Sequence, residues 1–345
     1  MVSSSSPLKG SILVTGANGG LGTALTSHIS THYPDYHGIY TVRDVSSPFT
    51  APSTSSHELI PLDLSSLSTI RTTANDINAW VSSGKIPPIR ILILNAGFLE
   101  FEQQTWAPDG FDMSFAVNYL GHFLLILLLL QSMNRDEGRI VLLGSSTHDP
   151  YAPIVGRHFP EERWKTIIQG EDIKAMDGIA YGTWSSNKDD PSLHSGFRRY
   201  GAAKLCVAML VGELQERLSK DPFLSNLTVV GIDPGTMSTG IVRHASWFVQ
   251  TVLHGIVIAN VARVLAFAGY RNAPVRTPES SARDVLDAGM NAKWKELGGG
   301  VYLDGMEIGK ISEEAKDEGK RELVWRESVR LVGLREGETV LRDWR

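Results

Sequence analysis

The chain has 345 residues, 42% of them hydrophobic and 21% charged, which is a globular composition with ample length for a large buried core. Lys and Arg number 33 against 38 Asp and Glu, and the resulting net charge of −5 gives no basic footprint for nucleic acid. The single cysteine, Cys206, excludes an intrachain disulfide and a cysteine-based zinc site. Residues 1–10 form a Ser-rich tail with no apolar core of a signal peptide, so a cytoplasmic, reducing location is expected.

Residues 11–15 (Ser-Ile-Leu-Val-Thr) read as a strand that runs straight into glycines, and residues 21–29 continue as a helix. Strands follow at 38–42 and 57–61. Residues 67–81 have helical spacing, with Leu67, Ile70, Ala74, Ile77 and Val81 on one face. Residues 89–94 are almost continuously apolar, as in a central parallel strand buried on both sides. A long helix is predicted over 111–133; its wholly apolar stretch, 123–130, falls short of the roughly 20 residues that span a bilayer. A buried strand at 139–143, a helix at 197–218 and a strand at 227–232 continue the alternation. The class is α/β: one Rossmann-type domain over 1–345, a doubly wound parallel sheet with helices on both faces.

Two segments stand outside the alternation. Residues 148–196 carry Tyr151, Phe159, Trp164, Tyr181 and Trp184, and residues 236–270 follow Asp233-Pro234-Gly235. Both leave the sheet after strand C-termini, where ligands bind in open α/β folds, so they are expected to form an inserted lid and a helical substrate cover. Within the second, residues 245–262 have no Lys, Arg, Asp or Glu. They lack the basic face of an interfacial helix, so a cover over an apolar pocket is expected ahead of membrane contact.

The turn from Gly16 to Gly22 fits a pyrophosphate site. Gly16 lets the chain turn, Gly20 lets the backbone approach the cofactor, Gly22 allows close helix packing, and Asn18 and Leu21 lie within it. Arg43 directly follows the second strand, where the adenosine ribose lies; a guanidinium there pairs with a 2′-phosphate and favours NADP over NAD. Asp44 is the counter-argument, as an acceptor for a 2′-hydroxyl. Asp63, beside Leu64, is either an adenine contact or the N-cap of the helix near Leu67. Asn95, Ala96 and Gly97 end the fourth strand with small residues that admit a ribose or adenine, or form a plain turn.

Asn118, inside an apolar helix, needs a partner: either a neighbouring backbone group or a bound water of a proton relay. Ser145 lies just past the fifth strand, with Ser146 and Thr147 as competitors for a substrate carbonyl and His148 as a polar group at the pocket mouth. Tyr200 and Lys204 stand one helical turn apart on one face, so the ammonium is expected to lower the pKa of the phenol. Cys206 reads as a small buried helix residue rather than a nucleophile.

In this order, Thr15-Gly16-x-x-x-Gly20-x-Gly22, Asn95-Ala96-Gly97, Asn118, Ser145, Tyr200-x-x-x-Lys204 and Pro234-Gly235-x-x-x-Thr239 resemble the short-chain dehydrogenase/reductase family. Residues 111–130 resemble its retinol dehydrogenase and protochlorophyllide reductase branch, and Gly300-Val301-Tyr302 resembles the last strand of fungal secondary-metabolism members. The resemblance implies Tyr200 as general acid, Lys204 on the nicotinamide ribose and Ser145 on the carbonyl. It implies Asn118 holding the relay water, and Pro234, Gly235, Thr236, Met237 and Thr239 around the carboxamide. It also implies a homodimer face on the helix 111–133. The activity expected is NADPH-dependent reduction of a carbonyl on a bulky apolar or aromatic small molecule, or the reverse oxidation. Reduction of C=C or C=N bonds on the same fold is the alternative, and a silent NADP-binding protein is a third reading.

Overall fold

A computed structural model describes residues 8–47, 49, 56–170, 173–237, 258–267, 269–270 and 272–345. Eight strands form one sheet in the order β3-β2-β1-β4-β5-β6-β7-β8. They are β1 (Ser11–Val14), β2 (His37–Val42), β3 (His57–Pro61), β4 (Ile89–Leu94), β5 (Arg139–Leu143), β6 (Thr228–Asp233), β7 (Val301–Asp304) and β8 (Glu307–Ile308). Every pairing is parallel except β7 with β8. The order reverses between β1 and β4, and such a switch point opens a crevice at the strand C-termini. Strands β1, β2, β4 and β5 are buried at every residue, which explains their largely apolar composition, with His37, Arg90 and Arg139 as buried exceptions toward the strand starts.

The helices are α1 (Gly20–His32), α2 (Leu67–Ser82), α3 (Met113–Ser132), α4 (Ile173–Ala180), α5 (Leu193–Lys220), α6 (Ala259–Phe267), α7 (Pro278–Met290), α8 (Lys293–Glu296), α9 (Glu313–Lys316) and α10 (Glu318–Val332). One face of the sheet packs on α1 and α7, the other on α2, α3, α5 and α10. Helix α3 starts on the side chain of Asp112, which accepts from the amides of Ser114 and Phe115. It widens into a π-helical stretch, Ala116–Leu120, before resuming as α-helix. All of Gly121–Leu129 is buried within the chain itself. From α10, Trp325 meets Phe123 edge-on at 5.2 Å and Ser328 bonds Tyr119 at 2.8 Å, so the helix expected to offer a dimer face is covered by this chain's own C-terminal helix.

Residues 148–196 are bound into the fold rather than draped over it. Phe159, Ile167, Ile168, Met176 and Ile179 join the large core. Glu314 of α9 accepts from the amides of Ile167 and Ile168, both at 2.9 Å. Arg199 pairs with Asp112 at 3.1 Å in a fully buried ion pair, and Arg198 pairs with Asp190. Most of the expected cover, residues 238–257, lies outside the described residues, together with Thr239 and the greater part of 245–262.

Candidate active site

A cleft of about 780 Å³ runs along the C-terminal ends of β1, β2, β4 and β5. Its floor is the β1–α1 turn. Gly16 has φ +66°, and a Cβ there would stand 3.0 Å from Ala96 Cα. A Cβ on Gly22 would stand 2.8 Å from Ala17 Cα, so both positions need glycine. The turn is braced from two strands: the Asn95 amide donates to Thr15 O at 2.7 Å, and Ala17 N donates to Thr41 O at 2.9 Å. The first amides of α1, at Gly20, Leu21 and Gly22, have no intrahelical acceptor, and all three residues line the cleft. With the positive end of the helix dipole they make an anion site. The residues present therefore fit a dinucleotide, with Asn18 beside the turn and Ala96 and Gly97 opposite.

At the end of the cleft beyond β2, Arg43 is exposed, lines the cleft and has no salt bridge among the described residues. Asp44 is turned into a local loop, accepting from Ser46 N at 2.8 Å and Ser46 Oγ at 2.7 Å, which hold its carboxyl below the usual range. Asp63 likewise accepts from Ser65 N at 2.9 Å. It lines the cleft beside Leu64, while the N-cap of α2 is Ser66.

Tyr200 and Lys204 reach the other end of the cleft from α5. Lys204 Nζ donates to Leu143 O at 2.8 Å and lies 5.5 Å from the Tyr200 ring centre. Burial pulls its pKa down to about 8, against an opposing pull from Asp233. The Tyr200 phenol moves opposite to the expectation from its lysine: burial, then the Asp233 carboxylate, push it well above its ordinary value, opposed by a hydrogen bond with Ser145. Ser145 is thus the hydroxyl that meets Tyr200. Ser146 is exposed, and Thr147 donates to Ser145 Oγ at 2.9 Å. His148 is buried, bonded to backbone and not among the residues that line this cleft. The Cys206 thiol is fully buried and pushed far up by desolvation, which leaves it no nucleophilic role.

Asn118 resolves toward the structural alternative for its side chain. Its amide donates to Phe98 O at 2.7 Å and Ser114 O at 2.8 Å, and its Oδ1 accepts from Phe98 N at 3.1 Å. The side chain therefore shapes the loop after β4. Pro234 and Met237 line the cleft; Thr236 pairs its backbone with the 274–276 segment and does not. Gly235, at φ +77°, packs against Arg276.

Sequence reading passed over four groups. His122, one turn beyond Asn118, meets Thr15 Oγ1 at 3.1 Å. Tyr302 accepts from the Ser145 amide. Asp233 accepts from Gly235 N at 2.9 Å at the end of β6. Arg276 fastens that end by donating to Asp233 O at 3.1 Å and pairing with Asp304 at 2.6 Å. Only His122 had a local signal, its helical spacing from Asn118.

The short chain dehydrogenase family pattern matches residues 11–154. The chain is 42% identical to short-chain dehydrogenase iccH of Talaromyces variabilis, over 97% of this chain and 99% of that one. It is 27% identical to a chloroplastic protochlorophyllide reductase of Daucus carota, over 94% of this chain and 79% of the relative. A solved structure from Mycobacterium Paratuberculosis, 22% identical, shares the fold with a TM-score of 0.62 over 94% of each chain. With the sheet order, the glycine cradle and a relative matched end to end, the chain belongs to the short-chain dehydrogenase/reductase family of oxidoreductases.

Proposed function

We propose that this protein is an NADPH-dependent reductase of ketones or aldehydes on bulky apolar or aromatic molecules, able to run in reverse by oxidising the alcohol with NADP+. The observation that carries the reading is the meeting of Tyr200, Ser145 and Lys204 at one end of a cleft whose other end offers Arg43. When bound, the cofactor supplies hydride to the carbonyl carbon. Tyr200 gives its phenolic proton to the carbonyl oxygen. A phenol whose pKa is raised by burial stays protonated through the physiological range, as a general acid must. The Ser145 hydroxyl donates to the same oxygen and orients it, and Lys204, anchored on Leu143 O, directs its remaining N–H groups into the cleft.

The preference for an apolar substrate is supported by a small cluster set apart from the main cores: Leu99, Phe101 and Tyr200, with Phe197 packed against them. Phe197 meets Phe101 edge-on at 5.3 Å and stacks on His158, from the 148–196 segment, at 4.0 Å. That segment thus forms one wall of the substrate site in this reading. The test is NADPH and NADH consumption on a panel of bulky aromatic and terpenoid ketones, with Tyr200→Phe as control. Tyr200→Phe should lower kcat by about 10²–10⁴ while NADPH still binds. Retained turnover in Tyr200→Phe, or no NADPH binding by the wild type, refutes the proposal.

A further inference from the structure

Ser145 is held by groups remote in sequence. Its amide donates to the Tyr302 phenol oxygen at 2.9 Å, across 157 residues. Its carbonyl lies 2.6 Å from Nδ1 of His148. Nε2 of the same ring accepts from Ser312 N at 3.2 Å, so the proton of the neutral imidazole sits on Nδ1 and donates to Ser145 O. Both rings are buried, at 5% and 2% exposure, and their centres lie 5.1 Å apart with the planes tilted by 53°. Tyr302 also lies where a Cβ on Gly144 or Gly231 would stand, so its ring is seated against backbone just past β5 and on β6. With both peptide groups of Ser145 anchored in extended geometry (φ −170°, ψ 147°), only its side-chain torsion is left free. The Oγ already accepts from Thr147 N and Thr147 Oγ1, at 3.3 and 2.9 Å, so its own hydrogen is left to donate.

We propose that Tyr302 and His148 are positioning residues that clamp the peptides on either side of Ser145 and so aim its hydroxyl at the substrate carbonyl. The proposal rests on the reading of Ser145 given above. The clamp also joins distant parts of the chain. Ser312, which holds His148, caps α9 through its hydroxyl, and Glu314 of the same helix holds the amides of Ile167 and Ile168. The wall of the substrate site and the serine therefore hang on one bracket. Tyr302 lies far outside the 11–154 stretch that the family pattern matches.

The experiment has two arms on the full chain. Amide hydrogen exchange of the peptide around Ser145 is measured in wild type, Tyr302→Phe, His148→Ala and His148→Asn. Tyr302→Phe and His148→Ala should speed exchange there by about tenfold or more, the factor for losing one buried hydrogen bond. His148→Asn, whose amide nitrogen can replace Nδ1, should restore most of the protection. In the second arm, Tyr302→Phe should lower kcat on a ketone that turns over by about tenfold with the KM for NADPH unchanged, and by less than about twofold in a Ser145→Ala background. Unchanged exchange at Ser145 overturns the clamp whatever the activity. Equal kcat losses in both backgrounds overturn its action through Ser145. If Ser145→Ala turns over as wild type does while exchange responds as expected, the assignment of Ser145 fails and not the clamp.

Discussion

His122 offers the sharpest test of the electrostatics around the cleft. The ring is 2% exposed on α3. Thr15 Oγ1, which accepts from Ala96 N at 3.0 Å, has its own proton to give Nε2, and the ring bonds the Asn118 carbonyl. Burial first, and the Lys204 charge second, bring its pKa down from 6.5 to about 3. A folded pKa below the unfolded one means that the unfolded chain takes up the proton first as the pH falls. The stability held by the neutral ring is complete above pH 6.5 and is lost progressively toward pH 3. At about 1.36 kcal/mol per pH unit, the 1.5 units between 6.5 and 5.0 cost about 2 kcal/mol. His122→Gln keeps a polar side chain but does not titrate. Urea unfolding of both proteins at pH 7.5 and 5.0 should show the wild type losing about 2 kcal/mol more than the variant over that interval. A packing cost of the substitution appears at both pH values and cancels, as do the other buried histidines, His37, His148 and His158. Equal losses in the two proteins refute the burial argument.

Arg43→Leu should weaken NADPH binding by about ten- to a hundredfold and leave NADH binding nearly unchanged, because only the former carries the 2′-phosphate that a guanidinium pairs with. Fluorescence titration of both cofactors reads this directly, and an equal loss for both denies Arg43 that role. Glu314→Gln keeps the size of the side chain but weakens its bonds to Ile167 N, Ile168 N and Lys320. It should speed hydrogen exchange across residues 163–170 and cost about 1–2 kcal/mol of stability, with NADPH affinity unchanged. Protection that persists in that stretch shows that apolar packing alone anchors it.

Sequence patterns located β3, β4 and β5 to the residue because each is bounded by turn residues and, in β4 and β5, buried on both faces. The glycine turn was equally legible, since Gly16 and Gly22 answer to backbone approach within a few residues of themselves. Helix α10 carried local signals that the strand–helix alternation did not use: the Asp317 cap at its start and a left-handed Gly333 at its end. The long-range partners were not legible in the same way. Thr15 and His122 meet across 107 residues and Ser145 and Tyr302 across 157, and no periodicity connects them. The direction of the Tyr200 shift was misjudged because the helix spacing displays the lysine, while desolvation and Asp233 enter only when β6 is laid beside α5.

The bond between Ser145 and Tyr302 also sets a clock on biosynthesis. The glycine turn, Gly16 to Gly22, is made of residues that leave the ribosome early and lie close together in the chain. The serine loop has to wait for β7, which at about 5–20 residues per second arrives roughly 8 to 30 s after Ser145 itself. During that interval the amide of Ser145 lacks the phenol oxygen that anchors it in the finished fold.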